Sequence, residues 1–75
     1  DVIYIRFETK DQTGFKNIRQ YFMNSGFVVV KEDRDIQQLG KPNSRVEIIL
    51  STTDIGGDIN FNVHLAIRPA NYPVN

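Results

Sequence analysis

D-I-N-F-N-V-H-L-A-I-R, residues 58–68, is the segment that is most informative about the fold class. Apolar side chains occupy every second position of this segment, and polar or small side chains occupy the positions between them. The first set is Ile59, Phe61, Val63, Leu65 and Ile67, and the second is Asp58, Asn60, Asn62, His64, Ala66 and Arg68. This alternation predicts a β-strand with one face buried in a core and the other turned to water or to a partner.

The size of the chain limits how it can be stabilised. With 75 residues it has room for one domain at most, residues 1–75. It is cysteine-free and has one histidine, so it can form neither a disulfide nor a typical zinc site, and no metal or other cofactor is expected. The core of so small a domain seldom contributes more than about 3–5 kcal/mol. We therefore expect further stabilisation from association, either with another protein or with a second copy in a homodimer.

Charge and hydropathy exclude several classes of protein. Nine basic and nine acidic residues give a formal net charge of zero, so no overall field attracts the chain to nucleic acid or to a membrane. No apolar run approaches the roughly 20 residues of a membrane-spanning helix, and no signal-peptide pattern opens the sequence. A soluble, cytoplasmic protein is the expectation.

The remaining elements follow from periodicity and turn residues. The sequence predicts strands over residues 2–9, 27–31, 45–51 and 58–68, a helix over 14–25, a loop over 32–44 and an irregular tail over 69–75. Asp11 or Thr13 is placed to cap the start of the helix, and Gly26 is placed to end it. Gly56-Gly57 predicts a hairpin turn between the last two strands.

This element order predicts an α+β fold, a β-α-β-β-β domain with a four-stranded mixed sheet and one helix packed on one face. The first strand should pair in parallel with an edge of the sheet, with the helix as the crossover. The second strand is apolar on both faces and should be central or covered. The predicted core consists of Ile3, Ile5, Phe7, Phe15, Ile18, Phe22, Val46, Ile48, Leu50, Phe61, Val63 and Leu65.

The sheet face away from the helix is the predicted functional surface. It should carry polar side chains with some apolar content, a composition that suits contact with a protein better than bare solvation. The candidate partner-binding residues are Tyr4, Arg6, Asn60, Asn62, His64 and Arg68.

No motif in the sequence predicts enzymatic chemistry. His64 would act as a catalytic base only if a strand register brought Glu8 or Glu47 close, and a surface or interface histidine is the favoured interpretation. The acidic residues Glu32, Asp33 and Asp35 are interleaved with Lys31 and Arg34, which favours a solvated loop over a metal site. A non-enzymatic protein is predicted.

One segment resembles a known family. In residues 11–27, Asp11, Gly14, Ile18 and Gly26 match the outline of an ACT domain, a small ligand-binding regulatory module, although Thr13 stands where that family has proline. The resemblance covers about a third of the chain. It implies a βαββαβ order, with an amino acid bound near residues 11–14 at a dimer interface.

The leading functional expectation is a protein–protein interaction module, acting as a small regulator, inhibitor or assembly component. It would bind through the exposed sheet face or an edge strand, and strand addition between copies would give a dimer. The alternative is a single-stranded nucleic-acid-binding domain that stacks bases on Tyr4, Arg6, His64 and Arg68. The ACT-like regulatory role is a lesser alternative.

Overall fold

The computed structural model describes residues 2–70 of the chain. Its elements are β1 (Ile3–Thr9), α1 (Gln12–Asn24), β2 (Val28–Asp33), β3 (Ile36–Gly40), β4 (Val46–Ile55) and β5 (Asp58–Ile67). The strands form one five-stranded sheet in the order β1-β5-β4-β3-β2, and every neighbouring pair is antiparallel. The α+β class is thus confirmed, with one helix in the described part of the chain. Most of the predicted tail, residues 71–75, lies outside the described residues.

The prediction of a loop over residues 32–44 is wrong, because β3 lies inside it. Ile36 and Leu39 are three positions apart and point to opposite faces of the sheet, so β3 shows no alternation. The turn before β3, formed by Arg34 and Asp35, closes with neither residue at positive φ. It therefore carries none of the glycine or asparagine signals by which a two-residue hairpin is usually recognised.

The additional strand also changes the pairing of β1. Because β3 adds one reversal of the chain, β5 runs opposite to β1, and the two pair antiparallel with Ile5 facing Leu65. The predicted parallel pairing, and with it the four-stranded mixed sheet, is therefore wrong. The second strand, predicted to be central or covered, is the other edge of the sheet, where Val28 and Val30 are exposed.

Both ends of α1 are formed by the residues that the sequence indicated. Asp11 is the N-cap, and its Oδ1 accepts a hydrogen bond from the Gly14 backbone N–H at 3.0 Å, while Thr13 lies within the helix. At the other end Gly26 has φ +99°, and the N–H groups of Gly26 and Phe27 donate to the carbonyls of Met23 and Phe22, each at 3.1 Å. These two bonds form a Schellman motif, which ends the helix.

The β4–β5 hairpin confirms the predicted glycine turn. Gly56 and Gly57 have φ +60° and +88°, the positive values that both central residues of a type I′ turn require. The Asp54 Oδ1 accepts a hydrogen bond from the Gly57 N–H at 2.9 Å. The turn sets a register in which Ile55 faces Asp58, and this places every second residue of the predicted strand on the buried face.

The core lies between α1 and the middle of the sheet. Its buried residues are Phe15, Phe27, Leu39, Ile48, Leu50, Phe61 and Val63, with Ile18, Phe22, Met23, Val29, Val46 and Leu65 packed against them. The rings of Phe15 and Phe61 stack at 5.0 Å, and the Arg19 Nε donates to the Gln37 Oε1 at 2.8 Å, so α1 lies over β5, β4 and β3.

The predicted core residues of β1 are not buried. Ile3, Ile5 and Phe7 lie on the helix side of the sheet but are 59%, 48% and 44% exposed. A five-stranded sheet spans four strand spacings, about 19 Å, whereas one helix with its side chains is only about 10–12 Å wide. Because α1 sits over the middle strands, it does not reach the edge at β1.

The element order also excludes the ACT-like arrangement for residues 2–70. That family requires a second helix after its third strand, whereas here the third strand, β3, is followed by two further strands, β4 and β5. The Asp11 carboxylate, which the resemblance placed near a ligand, caps α1 instead.

Candidate interaction surface

The strand register decides which side chains share the face of the sheet opposite α1. We call this face the open face. It carries Tyr4, Arg6 and Glu8 of β1, the even-numbered residues 58–66 of β5, the odd-numbered residues 47–55 of β4, Ile36 and Gln38 of β3, and Lys31 and Asp33 of β2. Five of the six candidate partner-binding residues lie on it, and Arg68 follows directly after β5.

Tyr4, Arg6 and His64 form one cluster on the open face. Arg6 stands directly opposite His64 in the β1–β5 pairing, and the Tyr4 ring lies edge-on to the imidazole with 5.5 Å between ring centroids. The His64 Nε2 is excluded from solvent and has no hydrogen-bond partner among the described residues. The cluster is therefore held by ring packing and cross-strand contact rather than by hydrogen bonds to His64 Nε2.

The other candidate residues lie farther along the sheet. Asn62 faces Ser51, and its Nδ2 donates to the Thr53 Oγ1 at 3.4 Å, while Asn60 faces Thr53 nearer the hairpin turn. Arg68 lies beyond the opposite end of β5, where its Nη2 is 3.1 Å from the Glu47 Oε2. The structure thus brings three of the six side chains together, places Asn60 and Asn62 farther along β5 and places Arg68 just beyond its end.

The open face is concave along β5. A groove of about 740 Å³ has Asn62 and His64 at its centre, with side chains of β1 on one flank and of β4 on the other. The flanking residues include Arg6, Glu8, Ile49, Ser51, Thr53 and Ile55. Its surface is mixed, because Arg6 lies beside Glu8 on the β1 flank, and the β4 flank combines isoleucine with hydroxyl side chains.

Neither carboxylate proposed as a partner for His64 stands opposite it. Glu8 faces Asn62 and Glu47 faces Ala66, so each is displaced by two residues from the imidazole along the strand. In residues 2–70 no group of three or more histidine, aspartate or glutamate side chains is arranged to hold a metal ion. Within the same residues, α1 is too short and too polar to span a bilayer.

The second surface is the uncovered apolar row of β1, which consists of Ile3, Ile5 and Phe7. Sequence reasoning placed all three in the core, because alternation shows which side of a strand is apolar but not whether anything covers that side. The signal that identifies this surface is the presence of a single helix against five strands, because one helix is too narrow to cover the whole sheet. Contiguous exposed apolar strips are common features of interaction sites.

The two edges of the sheet differ in how well they are protected. At β2 the register shifts between Val29 and Lys31, and the strand carries the charged residues Lys31, Glu32 and Asp33. A bulge and charged side chains are features that prevent an edge from pairing with another strand. β1 pairs with β5 in unbroken register over all seven of its residues and contains no proline, and its two charged residues, Arg6 and Glu8, both lie on the open face. Its outer edge therefore offers a regular row of backbone donors and acceptors.

Comparison with known proteins adds no family to this description. No family model matches the chain, and no curated protein or solved structure matches it either.

Proposed function

We propose that the chain is a non-enzymatic protein-interaction module that binds by strand addition at β1. One observation carries the proposal. The edge strand β1 combines an unbroken backbone edge, without a bulge or proline, with an exposed apolar row. Main-chain hydrogen bonds to such an edge supply affinity, and alternate side chains of the added strand supply specificity. A small regulator, inhibitor or assembly component would act in this way.

The geometry at β1 supports both the main-chain hydrogen bonds and the side-chain contacts of such binding. An added strand would lie about 4.8 Å from β1, so its side chains would stand beside those of the apolar row. Ile3, Ile5 and Phe7, each about half exposed, would lose water contact on one side. On the opposite face Tyr4 and Arg6 would flank the same strand and provide polar and aromatic contacts.

The experiment uses a short strand as the probe. A fluorescently labelled peptide with the sequence of residues 2–9, V-I-Y-I-R-F-E-T, is titrated with the chain, and binding is followed by anisotropy. We expect saturable binding that Ile5→Lys weakens and that Ile55→Lys leaves unchanged. Ile55 is the matched control because it is an exposed isoleucine in β4, away from the β1 edge. Equal binding by both variants would refute a site at β1.

Single-stranded nucleic acid is the second candidate partner, and the position of Tyr4 favours it. Tyr4 is 64% exposed and lies next to Arg6 and His64, two residues that line the groove on the open face, so a base could stack on its ring. Glu8 and Asp33 on the same face, and a net charge of zero, oppose binding of phosphates.

Titration with an unstructured oligonucleotide at two salt concentrations separates the two candidates. Nucleic-acid binding requires affinity that falls steeply with salt and is reduced by Tyr4→Ala. Tyr21→Ala is the control, since Tyr21 is equally exposed but lies on α1. Binding that is insensitive to salt and to Tyr4→Ala would exclude this candidate.

A further inference from the structure

We infer that the strand added at β1 is the β1 strand of a second copy of this chain, paired antiparallel about a two-fold axis at Ile5. The inference rests on the proposed function and names its partner. In this dimer the two sheets would join into one continuous sheet with β1 at its centre.

The first argument is the self-complementarity of the apolar row. In an antiparallel pair, residues directly opposite each other lie on the same face of the sheet. With the axis at Ile5, the two Ile5 side chains face each other, and Ile3 faces the partner's Phe7. All three half-exposed apolar residues of each copy then stand opposite an apolar residue of the other. This is the one register that matches the complete row with itself, since Ile5 is its midpoint.

The second argument comes from the charges on the open face. With the axis at Ile5, Tyr4 faces the partner's Arg6, and the pair can form a cation–π contact. Moving the axis to Arg6 would place two guanidinium groups directly opposite each other, and like charges in that position destabilise a sheet.

A two-fold axis at Phe7 is the remaining alternative in which a comparable number of β1 residues would pair. It would place Arg6 opposite the partner's Glu8, but exposed ion pairs contribute little to stability. It would also place Ile3 opposite the partner's Asp11, whose carboxylate already caps α1. Ile5 would face the partner's Thr9, so two of the three apolar residues would lose their apolar partners. This loss outweighs the gain of exposed ion pairs, so the register at Ile5 is favoured.

The third argument is the difference in regularity between the two edge strands. The β2 strand of another copy could not pair regularly with β1, because the bulge after Val29 interrupts the regular spacing of β2. β1 against β1 joins two unbroken strands of equal length. An edge pairing of this size belongs with small, transient interfaces, so we expect a reversible dimer.

Disulfide cross-linking tests the register, and the absence of native cysteine makes every introduced thiol unique. Opposite residues of an antiparallel pair have Cα separations within the range that a disulfide accepts. We expect Ile5→Cys to form a covalent dimer rapidly under mild oxidation. Tyr4→Cys and Arg6→Cys should cross-link when the two variants are mixed and should do so much more slowly when each is alone. Ile55→Cys, exposed at the far end of β4, is the control for random collision.

Sedimentation of the unaltered chain tests the partner. We expect a concentration-dependent dimer, with a dissociation constant that Ile5→Lys raises at least about tenfold. A chain that remains monomeric at millimolar concentration overturns the second copy as the partner, whereas binding of the residue 2–9 peptide would still support strand addition by another protein. Faster cross-linking of Arg6→Cys alone or of Phe7→Cys alone than of Ile5→Cys overturns the register.

Discussion

Ile5 and Leu39 lie on the same transverse row of the helix-side face, yet 48% of Ile5 is exposed and 0% of Leu39 is. The row runs from Ile5 through Leu65 and Ile48 to Leu39, one residue from each neighbouring strand. These strands are spaced about 4.8 Å apart, so the two ends of this row are about 14 Å from each other. A single helix covers one end of the row and leaves the other end exposed.

Substitutions at Ile5 and Ile55 should separate association from folding. Ile5→Lys places a charge in the proposed interface, so the dimer should dissociate at least about tenfold more readily. Ile55→Lys changes the same residue type at a site 76% exposed and should leave association unchanged. Both variants should keep the free energy of unfolding within about 1 kcal/mol, since neither site is in the core. Sedimentation and urea titration measure the two quantities, and an equal loss of association in both variants would contradict the assignment.

Leu39→Ala should unfold much of the protein. Leu39 is fully buried at the centre of the core, and truncation of such a leucine costs about 2–5 kcal/mol. That range is comparable with the total stability of about 3–5 kcal/mol expected for a domain of this size. Val28→Ala, at an exposed position on β2, is the control and should change the free energy of unfolding by no more than about 0.5 kcal/mol. Circular dichroism during urea titration provides the comparison; similar midpoints for both variants would show that Leu39 is not buried as described.

The helix cap and Gly14 should be energetically coupled. A Cβ on Gly14 would come 2.6 Å from the Asp11 Oδ2, so Gly14→Ala must displace the capping carboxylate. In the unaltered chain the gain in helix propensity, about 1 kcal/mol, is then offset by a loss of similar size at the cap. When Asp11 is already alanine, Gly14→Ala should raise the free energy of unfolding by about 0.5–1 kcal/mol, because the cap has been removed. A double-mutant cycle measured in urea tests this coupling, and strictly additive effects would refute it.

His64→Phe should stabilise the fold. The Nε2 of His64 is buried without a hydrogen-bond partner in residues 2–70, and a buried polar group left unpaired lowers stability. A ring of similar shape without that group should raise the free energy of unfolding by about 1 kcal/mol and keep the edge-on contact with Tyr4. Asn62→Leu is the control on the same strand, because the Asn62 amide already donates to Thr53 and its replacement offers no such gain. Thermal unfolding of the two variants gives the comparison; a loss of stability in His64→Phe would point to an unseen partner for the imidazole.

Local signals predicted the parts of the fold that depend on neighbouring residues. Asp11 and Gly26 bound α1 because capping and the left-handed conformation are set by a few adjacent residues. The Gly56-Gly57 turn and the alternation of β5 were equally readable. β3 was missed because its two apolar residues face opposite sides and its turn uses ordinary backbone conformations. Because the prediction lacked this strand, it gave the wrong direction of β1 relative to β5 and did not identify β2 as the second edge.

Alternation in the sequence predicted which residues form each face of the strands that it identified, and with them the β1 and β5 residues of the open face. Tyr4, Arg6 and His64 were assigned to that face by alternation alone, and their cluster follows from the β1–β5 register. Which of the apolar residues are buried, in contrast, depends on the packing of the whole domain. Burial of Ile5 depends on where α1 lies over the sheet, and that position results from packing between residues far apart in the chain. Alternation records which side of a strand is apolar, whereas the width of one helix against five strands leaves the apolar row of β1 uncovered.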